Sequence, residues 1–128
     1  MKLNQVTVPA LDLERWIAFY QTLGLKLIVK SPHYARFEVG DGSETLSLHV
    51  TDDASGAANG PRIYFECDDL DARGTELQGR GIKFDSGPVD QPWLWREAWL
   101  TDPAGVKFCL YHAGPMRRFP PWRIGAEH

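Results

Sequence analysis

The chain has 128 residues, a formal net charge of −3 and a hydrophobic share of 43%, ordinary for a soluble globular protein. That length suits one compact unit or two small modules sharing a core, and the charge gives no broad attraction to nucleic acid or an anionic membrane. No apolar run approaches the roughly 20 residues of a membrane helix.

The opening MKLNQVTV starts directly in a strand and lacks the shape of a signal peptide. Residues 3–8 alternate loosely and stop before Pro9. Asp12 is placed to cap a helix, because its carboxylate accepts the free N–H groups of a first turn. Leu13, Trp16, Ile17, Tyr20 and Leu23 follow at helical spacing, and Gly24 suits a left-handed stop. Leu25–Val29 predicts a short strand, His33–Val39 a second, Gly40-Asp41-Gly42 a hairpin turn and Thr45–Val50 the return strand. The polar, Gly-rich run 51–61 reads as a linker.

The same plan then recurs. Arg62–Cys67 predicts a strand, and Asp69 caps a helix carrying Leu70 and Leu77 inward, weakened by Gly74. Gly81 stops it before a strand at Ile82–Phe84. The run SGPVDQPW (86–93) reads as a turn-rich loop, Leu94–Leu100 as a strand, Asp102–Gly105 as a turn and Val106–Tyr111 as the last strand. Slid by 57 residues, Val6 meets Ile63, Val8 meets Phe65, Asp12-Leu13 meets Asp69-Leu70 and Gly24 meets Gly81. Toward the end the offset grows to 62, so the second copy has gained about five residues. The tail 114–128 fits neither copy, and Pro120-Pro121 predicts an extended path with Phe119 and Trp122 seeking cover on the body or a partner subunit.

A βαβββ unit repeated once resembles the vicinal oxygen chelate superfamily of glyoxalase I, bleomycin-resistance proteins and extradiol dioxygenases. VPALDLERWIAFYQTLGL is similar to the family's strand–Asp-Leu–helix signature, YFECDDLDARGTELQGRGI to its second-module version and LTDPAGVKFCLY to its "DP.G" hairpin. The resemblance covers roughly residues 3–112. It implies an α+β fold in which two βαβββ modules form an open-barrel cleft: module one 1–50, linker 51–61 and module two 62–113 as a single domain 1–113, followed by an extended tail 114–128. It also implies a homodimer.

In that family a divalent metal often sits in the cleft, on His, Gln and Glu side chains of each module's first and last strands. Carried over by position, those places hold Gln5, Ser47, Arg62 and Cys109. Gln5 is an accepted ligand type, Ser47 is a poor one, and Cys109 binds a soft metal only as thiolate. Arg62 decides against a metal there, since a guanidinium has five donors, no lone pair and a fixed positive charge. The cofactor expectation is therefore none, with one divalent ion on a displaced set of His49, Glu66 and Gln5 as the alternative.

Without a metal the cleft reads as a pocket for a small anionic or aromatic ligand. Arg62 would be desolvated at its centre, its charge met either by Glu66 or another internal carboxylate, or by a carboxylate or phosphate of the ligand. Trp93, Trp95 and Trp99 alternate and so share one strand face, with Arg96, Leu94 and Ala98 on the other. They serve either as aromatic walls or as packing, with Tyr34, Phe37 and Tyr111 as further lining aromatics. Cys109 beside Arg62 reads either as a thiol of lowered pKa fit for nucleophilic attack or as a buried inert one. The two cysteines, Cys67 among them, are too few for a disulfide framework and fit reduced thiols in a cytoplasmic protein.

The leading functional expectation is a metal-free small-molecule-binding protein with Gln5, Ser47, His49, Arg62, Glu66, Trp93, Trp95, Cys109 and Tyr111 about its ligand. The alternatives are a lyase, isomerase or dioxygenase-type enzyme, metal-free or with a displaced metal, and a partner-binding module with a filled cleft.

Overall fold

A computed structural model describes residues 1–125. The elements run in order β1 (Gln5–Ala10), α1 (Leu13–Leu23), β2 (Lys26–Ser31), β3 (Tyr34–Glu38), β4 (Thr45–Val50), β5 (Ile63–Glu66), α2 (Leu70–Gly79), β6 (Phe84–Asp90), β7 (Arg96–Thr101) and β8 (Lys107–His112), with short 3-10 turns at Ala57–Asn59 and Gly114–Arg117. They form two four-stranded sheets, β1-β4-β3-β2 and β5-β8-β7-β6, neither closed into a barrel. The fold class is α+β.

The chain divides into two compact units. The first comprises Met1–Pro61 with Thr101–Val106; the second comprises Arg62–Leu100 with the described residues from Lys107 onward.

In the first unit the Asp12 side chain accepts the Arg15 N–H, and Gly24 ends α1 at φ 104°. Leu13, Trp16, Ile17, Tyr20 and Leu23 are buried along one stripe of α1. Val8, Ala10, Ala35, Phe37, Leu46 and Leu48 are the buried apolar residues of this unit's sheet, and the Tyr20 ring meets that of Phe37 at 5.8 Å. The Tyr20 hydroxyl donates to Asp102 Oδ2 at 2.6 Å. Asp102 Oδ1 accepts the backbone N–H groups of Ala104 and Val106 at 2.8 and 2.9 Å. One carboxylate thus shapes the Asp-Pro-Ala-Gly turn and fixes α1. Burial pushes the Asp102 carboxyl above the usual carboxylate range, against the pull of those hydrogen bonds.

The second unit repeats the scheme. The Asp69 side chain accepts the Ala72 N–H at 3.0 Å, and Gly81, at φ 92°, follows α2. Strand pairing confirms both offsets: Val6 pairs with Leu46 in one parallel ladder and Ile63 with Phe108 in the other.

Three local expectations are corrected. Strand β6 runs through Ser86, Gly87 and Pro88, where the sequence predicts a loop. Pro88 is tolerated because β6 is an edge strand whose pairing with β7 is irregular between Ser86 and Val89. Strand β7 begins at Arg96 rather than Leu94, because Gln91–Trp95 is a turn closed by Leu94 N–H to Gln91 O and Gln91 N–H to Trp95 O. Leu94 carries φ 69° there. The tail is not purely extended: it opens with the turn Gly114–Arg117, and Phe119 and Trp122 stay more than half exposed. The guanidinium groups of Arg118 and Arg123 lie over the Phe119 ring. Residues 126–128 of the expected tail lie outside the described residues.

Candidate functional site

Each sheet has one apolar face and one face of different chemistry, because alternate side chains on a strand point opposite ways. In the first unit Thr7, Ser47 and Arg36 form one rung across β1, β4 and β3, and His49 and Tyr34 pair in the next. Ser47 is fully buried. Its hydroxyl meets that of Thr7 at 2.6 Å. Arg36 Nε–H donates to Tyr34 Oη at 3.0 Å. Burial pushes the Tyr34 phenol up, but hydrogen bonds with Ser47 and Arg36, together with the Arg36 charge, outweigh it and hold the phenol below its usual range. Gln5 is exposed, and its Oε1 accepts from Thr45 Oγ1 at 2.9 Å.

In the second unit the same face is aromatic. Tyr64 makes edge-on contacts with Trp95, Trp99 and Tyr111 at 5.9, 5.6 and 5.9 Å between centroids. Trp95 stacks on Tyr111 at 4.5 Å and 16°. Trp95, Trp99 and Tyr111 pack with Cys109 and Ala113. Behind them lies Glu97, only 4% exposed. Its Oε2 accepts the Trp93 indole N–H at 2.7 Å and its Oε1 accepts the Trp99 indole N–H at 3.0 Å. One carboxylate therefore sets the orientation of two indoles. No cation among the described residues is within ion-pair distance of it. Tyr64 remains 46% exposed, so the cluster presents an open ring edge rather than a sealed core.

Several sequence expectations change. Arg62 is exposed and precedes β5 instead of being desolvated. Its guanidinium lies 6.0 Å from the Trp99 ring centroid. Glu66 is not its partner: Glu66 Oε2 accepts the backbone N–H groups of Ala113 and Gly114, both at 2.9 Å, holding the chain as it leaves β8. Of the three tryptophans only Trp99 lies on β7; Trp93 and Trp95 belong to the turn before it, from which Trp93 reaches Glu97. Arg96 pairs with Asp71 and Asp90 away from the rings. Phe37 lines no pocket, being fully buried against Tyr20.

Of the two readings of Cys109, the buried thiol fits its surroundings. Burial, then the nearby Glu97 charge, pushes its thiol up to about 12. Cys67 is also raised, mainly by burial. His49 is exposed at the end of β4. His112 is exposed and its Nδ1 bonds the Cys67 carbonyl at 2.9 Å.

Glu97, Tyr64, Arg36 and Thr7 were missed. Alternation alone carried the signal for two of them: Glu97 stands between Trp95 and Trp99 on their face, and Tyr64 is two residues from Arg62.

The residues at the four family positions do not fit a divalent metal. Ser47 spends its hydroxyl on Thr7, Arg62 has no lone pair, and Cys109 is fully buried. In the displaced set, Gln5 Oε1 and Glu66 Oε2 are engaged locally. Among the described residues no three His, Cys, Asp or Glu side chains gather with metal-ligand geometry. A surface hollow of about 470 Å³ bounded by Asp12, Leu13, Glu14, Lys30, Ser31 and Pro32 lies in the first unit, among residues of neither face just described.

The family model for the glyoxalase/bleomycin resistance protein/dioxygenase superfamily matches residues 2–110, and the chain belongs to that superfamily. No curated protein sequence matches it. Among solved structures it is similar to a glyoxalase/bleomycin resistance protein/dioxygenase from Nocardioides, at 26% identity over 88% of this chain and 83% of that one, TM-score 0.71. It is also similar to a bleomycin-binding protein solved with bleomycin, at 23% identity over 88% and 98% of the two chains, TM-score 0.72. A third similar structure is a bleomycin resistance determinant encoded on the transposon Tn5, at 23% identity, 88% and 98% coverage and TM-score 0.73.

Proposed function

We propose that this is a metal-free small-molecule-binding protein whose ligand is a planar aromatic compound bearing an anionic group. The observation that carries this reading is the face of Tyr64, Trp95, Trp99 and Tyr111 with Arg62 over its margin. Aromatic walls with a few fixed polar groups suit small-molecule recognition. The Trp99 indole of this face is held before any ligand arrives, because Glu97 accepts its N–H, as it does that of neighbouring Trp93. Preorganised walls lose less rotamer freedom on binding. Arg62 is exposed and has no carboxylate partner among the described residues, so its fork is available to a ligand carboxylate or phosphate. A structural relative solved with bleomycin supports binding as the use of this fold.

The protein works as a cytoplasmic homodimer in this reading. Two free thiols suit a reducing compartment. The edge strand β2 exposes Ile28 and Val29, which suits coverage by a second copy.

Calorimetric titration with 2-naphthoate tests the ligand class. Saturable binding by the wild type is expected, weakened about tenfold or more by Tyr64→Ala and by Arg62→Ala. Equal affinity in wild type and folded Tyr64→Ala would remove the aromatic face from the account.

A further inference from the structure

The non-apolar face of the first unit's sheet holds a cation without a counter-charge. Arg36 is half-buried on β3. Its Nε–H is committed to Tyr34 Oη, and its guanidinium lies 5.3 Å from the Tyr34 ring centroid. No carboxylate among the described residues comes within ion-pair distance of it, although Glu38 stands two residues along the same strand. A guanidinium stays charged at every working pH and presents its terminal N–H groups as a planar fork. Half-burial without an anion leaves that fork underused.

Its surroundings add donors and fix its position. Arg36 donates to the phenol oxygen, the Tyr34 and Ser47 hydroxyls are hydrogen-bonded, and the Ser47 and Thr7 hydroxyls meet at 2.6 Å with either able to donate. Three hydroxyls joined by two hydrogen bonds leave one O–H free to donate. Ser47 is fully buried, so the chain is fixed by the sheet itself. The His49 imidazole stands across from Tyr34 on the neighbouring strand.

We propose that this face is an oxyanion-binding site, in which the terminal nitrogens of Arg36 hold a carboxylate or phosphate group while Tyr34, Ser47 and Thr7 orient the fork and supply one further O–H. It does not depend on the aromatic face of the second unit, so either site can fail without the other.

The test labels the tyrosine Cζ carbons with ¹³C and assigns the Tyr34 resonance by its loss in Tyr34→Phe. Sodium acetate and inorganic phosphate are titrated separately at constant ionic strength. The expected result is a saturable shift of the Tyr34 signal with at least one anion, together with a rise in its phenol pKa as the bound anion offsets the Arg36 charge. Response to acetate alone assigns a carboxylate site, to phosphate alone a phosphate site, and to both a general oxyanion site. Arg36→Gln abolishes the saturable response, and Arg36→Lys, which keeps the charge but loses the fork, weakens it about tenfold. No saturable shift with either anion, or an unchanged response in folded Arg36→Gln, overturns the proposal. If Arg36→Gln does not fold, wild-type affinity in Arg36→Lys overturns it instead.

Discussion

The two sheets share one plan and differ on one face. Toward the apolar side the pairs correspond: Val6 and Ile63, Val8 and Phe65, Leu46 and Phe108, Leu48 and Leu110. On the opposite side the same rungs diverge, with Thr7 beside Ser47 in one copy and Tyr64 beside Cys109 in the other. Gln5 gives way to Arg62 and His49 to Tyr111. The apolar face must bury itself under a helix to hold the fold, so its chemistry is constrained. The other face is free of that demand, and there one copy has built a hydroxyl chain and the other a ring cluster. The helices differ in the same spirit. Tyr20 anchors α1 through Asp102, whereas its counterpart Leu77 fixes α2 by burial alone.

The sharpest break in the comparison is Asp102→Ala. It removes the acceptor that the Tyr20 hydroxyl and two backbone N–H groups share in a buried place, and we expect about 3 kcal/mol of lost stability by urea unfolding. Leu77→Ala lacks that polar component and should act through its cavity, at about 2–4 kcal/mol.

Glu97→Gln comes next. A glutamine carbonyl serves one indole, while its NH₂ group faces the other indole N–H donor to donor. About 1–3 kcal/mol is expected. One of the Trp93 and Trp99 indole N–H resonances should move to a solvent-like position, and binding of 2-naphthoate should weaken. Retention of both resonances would show that the carboxylate does not orient the rings.

Cys109 supplies a pH signature that Ser47, its counterpart, lacks. Its thiol titrates at about 12 in the folded protein against an ordinary 9.0. The unfolded chain therefore loses the proton first, and stability falls as pH rises between these values. Urea midpoints of wild type should drop more steeply over that window than those of Cys109→Ala; parallel curves would refute the assignment.

The smallest effect expected is a gain. Gly74 is the counterpart of Ile17 and is buried on α2, yet an added Cβ meets only Pro88 Cγ at 3.8 Å, an ordinary contact. Gly74→Ala should raise stability by about 0.5–1 kcal/mol, read as a rise in Tm.

Much of the fold was legible because its signals are local. Asp12 and Asp69 cap, Gly24 and Gly81 stop, and the spacing between caps and stops repeats. The β6 edge is hidden in the sequence because Gly87 and Pro88 carry turn chemistry, and only the pairing of Ser86 and Val89 with β7 on either side of them carries the strand through. At the candidate sites, alternation placed Trp95 and Trp99 together, but a chain alone does not show which carboxylate two indoles share. Glu66 and Glu97 are both plausible by sequence. Only the fold turns one toward backbone amides and the other beneath the rings. The sequence predicts a desolvated Arg62, whereas the half-buried guanidinium without a carboxylate partner among the described residues is that of Arg36, whose role depends on cross-strand neighbours 11 or more residues away.

The central claim is that the aromatic face of the second unit receives a planar ligand. The most direct measurement follows the indole ¹H–¹⁵N resonances of the five tryptophans while 2-naphthoate is added. The account predicts saturable shifts of Trp95 and Trp99 with a common affinity, while Trp16, buried on α1, stays still. Saturable binding that leaves Trp95 and Trp99 unmoved, or no saturable change at any indole, would contradict it.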